Sequence, residues 1–194
     1  MIGAVVLAAG LSQRMGRPKM ILPWGDTTVI RQVVSVLLTA KVDDIVVVTG
    51  GARDNVKVAL QGLPVRTVFN PDYANGEMLL SLKIGLASIP DDIEAALIAL
   101  GDQPQIEESV VQQVIAGYKQ TKSSLVVPSY QMRRGHPWLL ARPLWEAVLG
   151  LQPPSTLRDF LRNHAAEMKY IEVENPSIIQ DLDTPNDYLR YRPA

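Results

Sequence analysis

Three cations follow closely on a glycine turn near the N-terminus. Arg14, Arg17 and Lys19 come after an apolar run that stops at Gly10. Glycine lets backbone N–H groups approach an oxyanion closely, because no Cβ stands in the way. Cations beside such a turn can neutralise a polyphosphate, so the segment from Gly10 to Gly16 predicts a loop that holds the triphosphate of a nucleotide.

Two known phosphate-binding loops do not match this segment. A P-loop has the pattern G-x-x-x-x-G-K-[ST], whereas Gly16 here is followed by arginine and proline. A dinucleotide fingerprint has the pattern G-x-G-x-x-G, whereas Gly10 is followed by leucine and serine. The loop therefore belongs to neither class.

Two acidic segments could hold a metal ion. Asp102 comes after an apolar run and one glycine, and its carboxylate suits Mg²⁺, which takes one or two carboxylates plus water and phosphate oxygens. The alternative is that Asp102 only caps a helix that begins near Glu107. The second segment includes Asp183, Thr184 and Pro185. Since proline favours the first turn of a helix, Asp183 or Thr184 could equally be a helix cap.

Strand-like runs alternate with helical patterns along the first two thirds of the chain. The pattern predicts strands over 2–9, 44–49, 65–69, 95–100 and 125–127, and helices over 53–61, 78–89 and 107–119. A further helix, capped by Asp26, would bury Ile30, Val33, Val34, Leu37 and Leu38 on one face.

This alternation predicts a Rossmann-like α/β fold with a doubly wound, mostly parallel sheet. Ligands bind beyond the carboxyl ends of the strands in such a sheet, where Gly10 and Asp102 would lie. The proline-rich last third predicts an irregular cap and an edge on the same sheet.

Composition limits the class of protein. The 194 residues predict one domain over 1–194, with enough hydrophobic residues, 47%, for a core. With 19 basic and 20 acidic residues, the chain lacks the strong positive charge of a nucleic-acid binder. The absence of cysteine excludes disulfides, zinc–thiolate sites and iron–sulfur clusters. Neither a signal peptide nor a membrane-spanning run is apparent, so we expect a cytoplasmic protein with no membrane partner.

The N-terminal loop resembles that of a known enzyme family. The run from Leu7 to Lys19 is similar to the L-A-x-G-x-x-x-R-M-G-x-x-K signature of sugar-nucleotide and cofactor nucleotidyltransferases. It most resembles the molybdenum cofactor cytidylyltransferases, with L-A-A-G-x-S-x-R-M-G-x-x-K. Guanylyltransferase relatives tend to have glycine at the position of Ala9 and aspartate at that of Pro18, so both residues favour the cytidylyl branch. The resemblance covers residues 4–189.

The resemblance implies a set of nucleotide-binding and catalytic residues. The implied nucleotide site comprises Leu7, Ala8, Ala9, Gly10, Ser12, Arg14, Gly16, Lys19 and Ser81. Arg14, Lys19 and Asp102 are the implied catalytic residues, the two cations offsetting charge on the phosphates and the departing pyrophosphate.

It also implies the metal ligands. Asp102 lies in a segment that matches the G-D-Q-P motif, and Asp183 in one that resembles D-x-D-T-P-x-D. These two carboxylates would hold Mg²⁺, with Asp181 as the alternative ligand. Asp187 falls within the helix that follows and is interpreted as a solvated charge.

A third segment resembles the family's R-G-H-P motif near the acceptor substrate. Arg133 and Arg134, beside Gly135, could bind the phosphate of that acceptor. His136 invites assignment as a general base. A phosphate nucleophile, however, has a second pKa of about 6 and is largely ionised at pH 7. We therefore expect His136 to make structural hydrogen bonds or to contact the acceptor.

The segment after the third strand departs from the family pattern. Relatives have N-P-x-x, then a glycine and often paired serines, whereas Asn70 and Gly76 here are followed by Leu80 and Ser81. Ser81 is the residue expected to face the nucleobase. The alternative is a loop and a helix that simply packs its leucines.

The activity implied by the resemblance is attack of an acceptor phosphate on the α-phosphorus of CTP. The acceptor would be molybdenum-bearing molybdopterin, and a molybdoenzyme or its maturation chaperone could be a partner. Alternatives are another nucleotide or a sugar- or alditol-phosphate acceptor, a non-catalytic nucleotide-binding accessory protein, and an oxidoreductase on the same fold. Both acidic motifs and both cations are present, which disfavours the accessory protein, and the missing dinucleotide fingerprint disfavours the oxidoreductase.

Overall fold

A mostly parallel sheet of eight strands organises the chain in a computed structural model that describes residues 1–75, 78–152 and 154–193. Gly76, noted above in the loop before Ser81, lies outside these ranges. The strands are β1 (Ile2–Ala8), β4 (Asp44–Thr49), β5 (Arg66–Phe69), β6 (Ala95–Leu100), β7 (Leu125–Tyr130), β8 (Arg133–Arg134), β9 (Trp138–Ala141) and β10 (Met168–Glu172). A separate hairpin pairs β2 (Pro23–Trp24) with β3 (Thr27–Thr28).

Seven α-helices connect or cover the strands in the described ranges: α1 (Val29–Thr39), α2 (Arg53–Ala59), α3 (Met78–Ala87), α4 (Glu108–Thr121), α5 (Trp145–Leu149), α6 (Leu157–Asn163) and α7 (Pro185–Tyr191). Short 3-10 helices span Gln13–Met15, Lys19–Ile21, Arg142–Leu144, Ala165–Glu167 and Pro176–Ile179.

The sheet has the order β10-β7-β9-β6-β1-β4-β5, with β8 paired to β7. Every residue of β1 is buried, and β1 runs parallel to β4 on one side and to β6 on the other. Helices α1, α2 and α4 pack on one face, and α3, α5 and α6 on the other. Because both faces are covered, the central strands are near-continuous apolar runs. The doubly wound, mostly parallel fold predicted from the sequence is confirmed.

The first helix begins later than predicted. Its cap is Thr28, whose hydroxyl accepts a hydrogen bond from the Arg31 backbone N–H at 3.4 Å. Asp26 was predicted as the cap and instead lies in the turn between β2 and β3. The hairpin pairs Thr27 with Trp24, so the chain stays extended until it has passed Thr28.

The last third of the chain contributes an inner strand to the sheet as well as an edge strand. Strand β10 forms the expected edge beside β7. Strand β9, however, lies antiparallel between β6 and β7, and all four of its residues are buried. Leu139 pairs with Leu97 on one side and Val126 on the other. A four-residue apolar run cannot be assigned to strand or helix by periodicity alone, which explains why it was not predicted.

The described ranges contain no helix of the length and apolar character needed to cross a membrane.

Candidate active site

A cavity of about 320 Å³ opens at the carboxyl edge of the sheet, beside the ends of β1 and β6. Its lining includes apolar side chains, among them Leu7, Ala9, Tyr73, Met78 and Leu100. It also includes the charged residues Arg14, Lys19, Asp102, Asp181 and Asp183. The lining can therefore contact both an apolar group and an anion with its counter-cation.

The glycine loop separates this cavity from a second one of about 410 Å³. The loop is fixed by the Lys19 backbone N–H, which donates to the Ser12 hydroxyl at 3.1 Å. Buried Met15 anchors it in a small cluster that includes Trp24. Gly10, Arg14, Lys19 and Asp183 line both cavities. A polyphosphate that followed the loop would therefore meet both cations.

Two cations and two carboxylates meet at the junction of the cavities. The Lys19 ammonium, on a residue only 9% exposed, bonds to Asp102 Oδ2 and lies 3.4 Å from Asp183 Oδ1. Arg14 Nη2 lies 3.0 Å from the other oxygen of Asp183. The fold thus brings together four residues that come from three distant segments of the chain.

The segment before α7 is fixed to the end of β6. The Leu182 backbone N–H donates to the Asp102 carbonyl at 3.0 Å. Gln103, 2% exposed, donates from Nε2 to Asp181 Oδ1 at 2.6 Å and to the Ile178 carbonyl at 3.3 Å. Gln103 was not among the residues predicted for the site, although its place directly after Asp102 was a usable signal. These contacts place Asp183 opposite Asp102.

Helix α7 leaves Asp183 available for the site. Thr184 is the N-cap, and its hydroxyl accepts from the Asp187 backbone N–H at 3.2 Å. Asp187 accepts in return from the Thr184 backbone N–H at 2.8 Å. Asp187, interpreted from the sequence as a solvated charge of this helix, keeps part of its surface exposed, and its carboxylate also completes the cap. Of the two caps considered from the sequence, Thr184 has this role.

The arrangement suits a divalent cation. Burial raises the pKa of Asp181, and the nearby charge of Asp102 raises it further. The Lys19 ammonium shows that the space between Asp102 and Asp183 accepts a cation. In the described ranges, no three His, Asp or Glu side chains form a closed cage. Two carboxylates with open positions fit Mg²⁺, whose other ligands are water and phosphate oxygens.

The lining of the first cavity also includes Ser81, which is 6% exposed. The Asn70 amide donates from Nδ2 to Ser81 Oγ at 3.0 Å. Of the other residues assigned to the nucleotide, Ala8 is buried at the end of β1, and Gly16 closes the 3-10 turn with its N–H on the Gln13 carbonyl at 3.2 Å. Neither Ala8 nor Gly16 is among the described residues that line the two cavities.

The R-G-H-P segment lies beside the site rather than in it. Arg133 and Arg134 are exposed, and none of Arg133, Arg134, Gly135 and His136 is among the described residues that line the two cavities. A Cβ on Gly135 would stand 2.3 Å from the Ile178 carbonyl, so only glycine fits there. The His136 backbone N–H donates to the same carbonyl at 2.9 Å.

His136 itself is poorly suited to proton transfer at neutral pH. Burial lowers the pKa of His136 to about 4, so the imidazole is neutral at pH 7 and only weakly basic. Its backbone supports the segment that leads to Asp183. Whether the His136 side chain contacts the acceptor stays a prediction.

Comparison with known proteins identifies the family. The model described as the MobA-like NTP transferase domain matches residues 4–168. The chain belongs to this family.

Two curated relatives align with nearly the whole MobA-like chain. The molybdenum cofactor cytidylyltransferase of Escherichia coli (strain K12) is 28% identical over 190 residues, which cover 97% of this chain and 94% of the relative. The nicotine blue oxidoreductase of Paenarthrobacter nicotinovorans is also 28% identical, over 202 residues that cover 97% of this chain and 95% of the relative.

Solved structures of similar proteins share the fold. Rv0371c from Mycobacterium tuberculosis H37Rv is 28% identical and superposes with a TM-score of 0.85, covering 97% of this chain and 96% of that protein. Its complex with manganese is 27% identical with a TM-score of 0.82, covering 97% of this chain and 96% of that protein. The protein is an enzyme of the nucleotidyltransferase class, and the family resemblance seen in the glycine loop is confirmed.

Proposed function

We propose that this MobA-like transferase moves the cytidylyl group of CTP to the phosphate of molybdenum-bearing molybdopterin. The products are molybdopterin cytosine dinucleotide and pyrophosphate. The observation that most supports the proposal is the meeting of Lys19 with Asp102 and Asp183 where the glycine loop borders the cavity. The relative in Escherichia coli supports the choice of nucleotide and acceptor.

The reaction needs little proton chemistry from the protein. An oxygen of the acceptor phosphate forms a bond to the α-phosphorus of CTP, and the bond from that phosphorus to the bridging oxygen breaks. Pyrophosphate leaves with the electron pair. Since the attacking phosphate is already largely ionised at pH 7, no general base is required. The chain must instead hold two anions together and stabilise the charge of the transition state.

Four charged side chains of the site have a part in that task. Arg14 and Lys19 border both cavities and offset charge on the triphosphate and on the departing pyrophosphate. Asp102 and Asp183 would hold Mg²⁺, which when bound stabilises negative charge at the α-phosphate. The manganese complex of the mycobacterial protein supports a divalent cation in this family.

We expect the nucleobase to contact the apolar residues of the cavity. Ala9 is 7% exposed and lines the cavity together with Leu7. Its methyl group narrows the cavity and favours a pyrimidine over a larger purine. Ser81, which also lines the cavity, offers a polar contact.

Oxidoreductase activity is the second candidate, because the nicotine blue oxidoreductase matches the chain as well as the cytidylyltransferase does. Two acidic residues meeting two cations suit a metal-bound polyphosphate better than they suit hydride transfer. The proposal of nucleotidyl transfer therefore stands first, and both activities can be measured on one preparation.

The test combines the purified protein with Mg²⁺, molybdenum-bearing molybdopterin and CTP, GTP or ATP. Pyrophosphate release and the dinucleotide product are measured by chromatography, and oxidation of NADPH with nicotine blue as the electron acceptor is followed in parallel. The proposal predicts pyrophosphate and cytosine dinucleotide with CTP. Pyrophosphate with GTP or ATP only, or NADPH oxidation without pyrophosphate, would contradict it.

The product must then reach an enzyme that uses it. We propose that a molybdoenzyme or its maturation chaperone binds the transferase while the transferase holds the dinucleotide product. Size-exclusion chromatography of the transferase mixed with such a partner, with and without the product, tests this binding. The single domain over 1–194 and the cytoplasmic location stay predictions.

A further inference from the structure

We propose that the ring of Tyr73 forms an aromatic wall that contacts the nucleobase, and that Gly51 makes room for this ring. The charged residues of the site act on the phosphates and the metal, so they leave the base without an assigned aromatic partner. The inference rests on the proposed use of a nucleoside triphosphate, since a base must enter the cavity for Tyr73 to contact it.

A pair of glycines directly after β4 allows two other segments to approach closely. A Cβ on Gly50 would stand 2.3 Å from the Ala9 carbonyl oxygen. A Cβ on Gly51 would stand 3.0 Å from Cε2 of the Tyr73 ring and 3.4 Å from its Cζ. Neither Gly50 nor Gly51 is among the glycines with positive φ, so space and not backbone conformation explains both of them.

The glycine pair places Tyr73 beside Ala9. Consecutive Cα atoms are about 3.8 Å apart, so Ala9 and Tyr73 contact neighbouring points of one short segment. Both residues line the first cavity, and Tyr73 is half-buried there. Ala9 is the residue that we expect to limit the size of the base. A base that contacts Ala9 is therefore also close to Tyr73.

The ring of Tyr73 is supported by a second aromatic side chain. The centre of the Phe69 ring lies 6.1 Å from that of Tyr73, and the two planes are inclined by 53°, an ordinary arrangement for an aromatic pair. The Arg53 guanidinium lies 5.0 Å from the centre of the Phe69 ring, within the range of a cation–π contact. Phe69 is thus held between Arg53 and Tyr73.

The chain between the two rings is also fixed. Asn70 is 1% exposed, and its backbone N–H donates to the Thr49 carbonyl at 2.9 Å. Its Oδ1 accepts from the Asp72 backbone N–H at 3.0 Å. A ring that is supported in this way before the nucleotide enters loses little freedom on binding, so more of the contact energy appears as affinity.

The contact between an aromatic ring and a base can be measured apart from the phosphates. Every nucleobase has a π-face, and one contact of this kind corresponds to about tenfold or more in affinity. Inorganic tripolyphosphate has the three phosphates of CTP and lacks the sugar and the base. The ratio of the two affinities therefore isolates what the nucleoside contributes.

The experiment measures binding of CTP and of tripolyphosphate by calorimetry, each with Mg²⁺. Tyr73→Leu keeps an apolar side chain and removes the ring, so the CTP affinity should fall about tenfold while the tripolyphosphate affinity stays unchanged. Tyr73→Phe keeps the ring and should bind both ligands as the wild type does. Tyr170→Leu makes the matched change at an exposed tyrosine of β10 and should also keep both affinities.

Gly51→Ala tests whether the glycine makes room for the ring. Its methyl group would stand 3.0 Å from Cε2, so the ring must move and the CTP affinity should fall, with tripolyphosphate unaffected. The three atoms nearest to the added Cβ are Cε2, Cζ and the hydroxyl oxygen of Tyr73, and leucine has none of them. Adding Gly51→Ala to Tyr73→Leu should therefore lower the CTP affinity no further. An unchanged affinity in Gly51→Ala, or an equal loss in both backgrounds, would overturn the role of Gly51.

Two results with Tyr73→Leu would overturn the contact with the base. One is equal weakening of CTP and tripolyphosphate, which would make Tyr73 a structural support of the phosphate site. The other is an unchanged CTP affinity, and a raised KM for the acceptor in that case would place the ring against the acceptor. Thermal unfolding checks the fold of each variant, and Tyr73→Met is the second variant, with the same expected fall, if Tyr73→Leu does not fold.

The outcome also distinguishes the two proposals. If CTP binding depends on the Tyr73 ring but no transfer to molybdopterin occurs, the inference holds and the proposed function fails. If CTP is turned over and Tyr73→Leu binds it as the wild type does, the inference fails and the proposed function stands. If the wild type does not bind CTP, both fail.

Discussion

The ammonium of Lys19 bonds to the carboxylate of Asp102, a residue 83 positions further along the chain. It also lies 3.4 Å from Asp183 Oδ1. A cation of the protein thus lies between the two carboxylates that we assign to the metal. The metal and Lys19 compete for the same oxygens, and this competition has consequences that can be measured.

Removing the lysine charge should strengthen metal binding in the absence of nucleotide. In Lys19→Met the Asp102 carboxylate loses its cationic partner and Asp183 keeps only Arg14, so Mn²⁺ should bind more tightly than in the wild type. Electron paramagnetic resonance of free and bound Mn²⁺ measures this directly. Lys57→Met, on an exposed face of α2, is the matched control and should bind as the wild type does. If Lys19→Met bound Mn²⁺ no more tightly than the wild type, this result would contradict the proposed competition between Lys19 and the metal.

The two neighbouring cations of the loop should differ greatly in their effect on the reaction. Lys19→Ala should slow CTP-dependent pyrophosphate release by orders of magnitude, because it removes charge stabilisation within the site. Arg17→Ala should have little effect. Arg17 is exposed, and its guanidinium lies 5.9 Å from the centre of the Tyr188 ring. If Arg17→Ala slowed the reaction more than Lys19→Ala does, the loop would present Arg17 instead of Lys19 to the phosphates.

His136 should make the stability of the fold depend on pH. Burial lowers the pKa of His136 from its ordinary value of 6.5 to about 4. Between these values the unfolded chain binds a proton that the folded protein does not, so stability is full above about 6.5 and falls as the pH falls toward 4. Thermal unfolding across this range should show a smaller decline in His136→Asn than in the wild type.

Activity provides a separate check on His136. Since no base is required, single-turnover rates of His136→Asn should keep the wild-type dependence on pH near neutrality. If the pH–rate profile lost a limb near pH 6–7 in the variant but not in the wild type, His136 would instead be identified as a general base.

Ala9 should contribute to the preference for a pyrimidine. We expect CTP to be used at least about tenfold better than GTP, which needs only ~1.4 kcal/mol of differential binding in the transition state. Ala9→Gly widens the cavity and should reduce the kcat/KM ratio of CTP to GTP without restoring full use of GTP, since Ser81 also lines the cavity. Equal kcat/KM for both nucleotides in the wild type would refute the cytidylyl assignment and leave nucleotidyl transfer standing.

Much of the fold could be predicted because each central strand is marked by its own local sequence pattern. Strands β1, β4 and β6 are continuous apolar runs that stop at glycine or at a polar residue, and their alternation with helices fixes a parallel sheet. The rule that ligands bind beyond the carboxyl ends of such strands then led to Gly10 and Asp102, which both line the cavity.

The remaining features depend on contacts between distant segments. Strand β9 is recognisable only through its partners β6 and β7. The bonds of Gln103 to Asp181 and of Asn70 to Ser81 join residues whose proximity no periodicity reports. Asn70 had one usable signal, since it directly follows a predicted strand, as Gly10 does.

The R-G-H-P segment shows the limit of inference from residue type. Two arginines beside a glycine are typical of a phosphate site, but Arg134 lies 5.5 Å from the centre of the Tyr170 ring and is exposed. The close approach of Gly135 to Ile178 explains the glycine by packing. Whether the arginines bind the acceptor stays a prediction.

The most direct test of the metal-assisted mechanism is CTP-dependent pyrophosphate release by Asp102→Asn. The substitution keeps the shape of the side chain and removes a metal ligand, so turnover should be abolished while the thermal stability shows an intact fold. Asp92→Asn, an exposed aspartate before β6, is the matched control and should turn over as the wild type does. Near wild-type release by Asp102→Asn, with the same dependence on Mg²⁺, would contradict the role that we assign to Asp102.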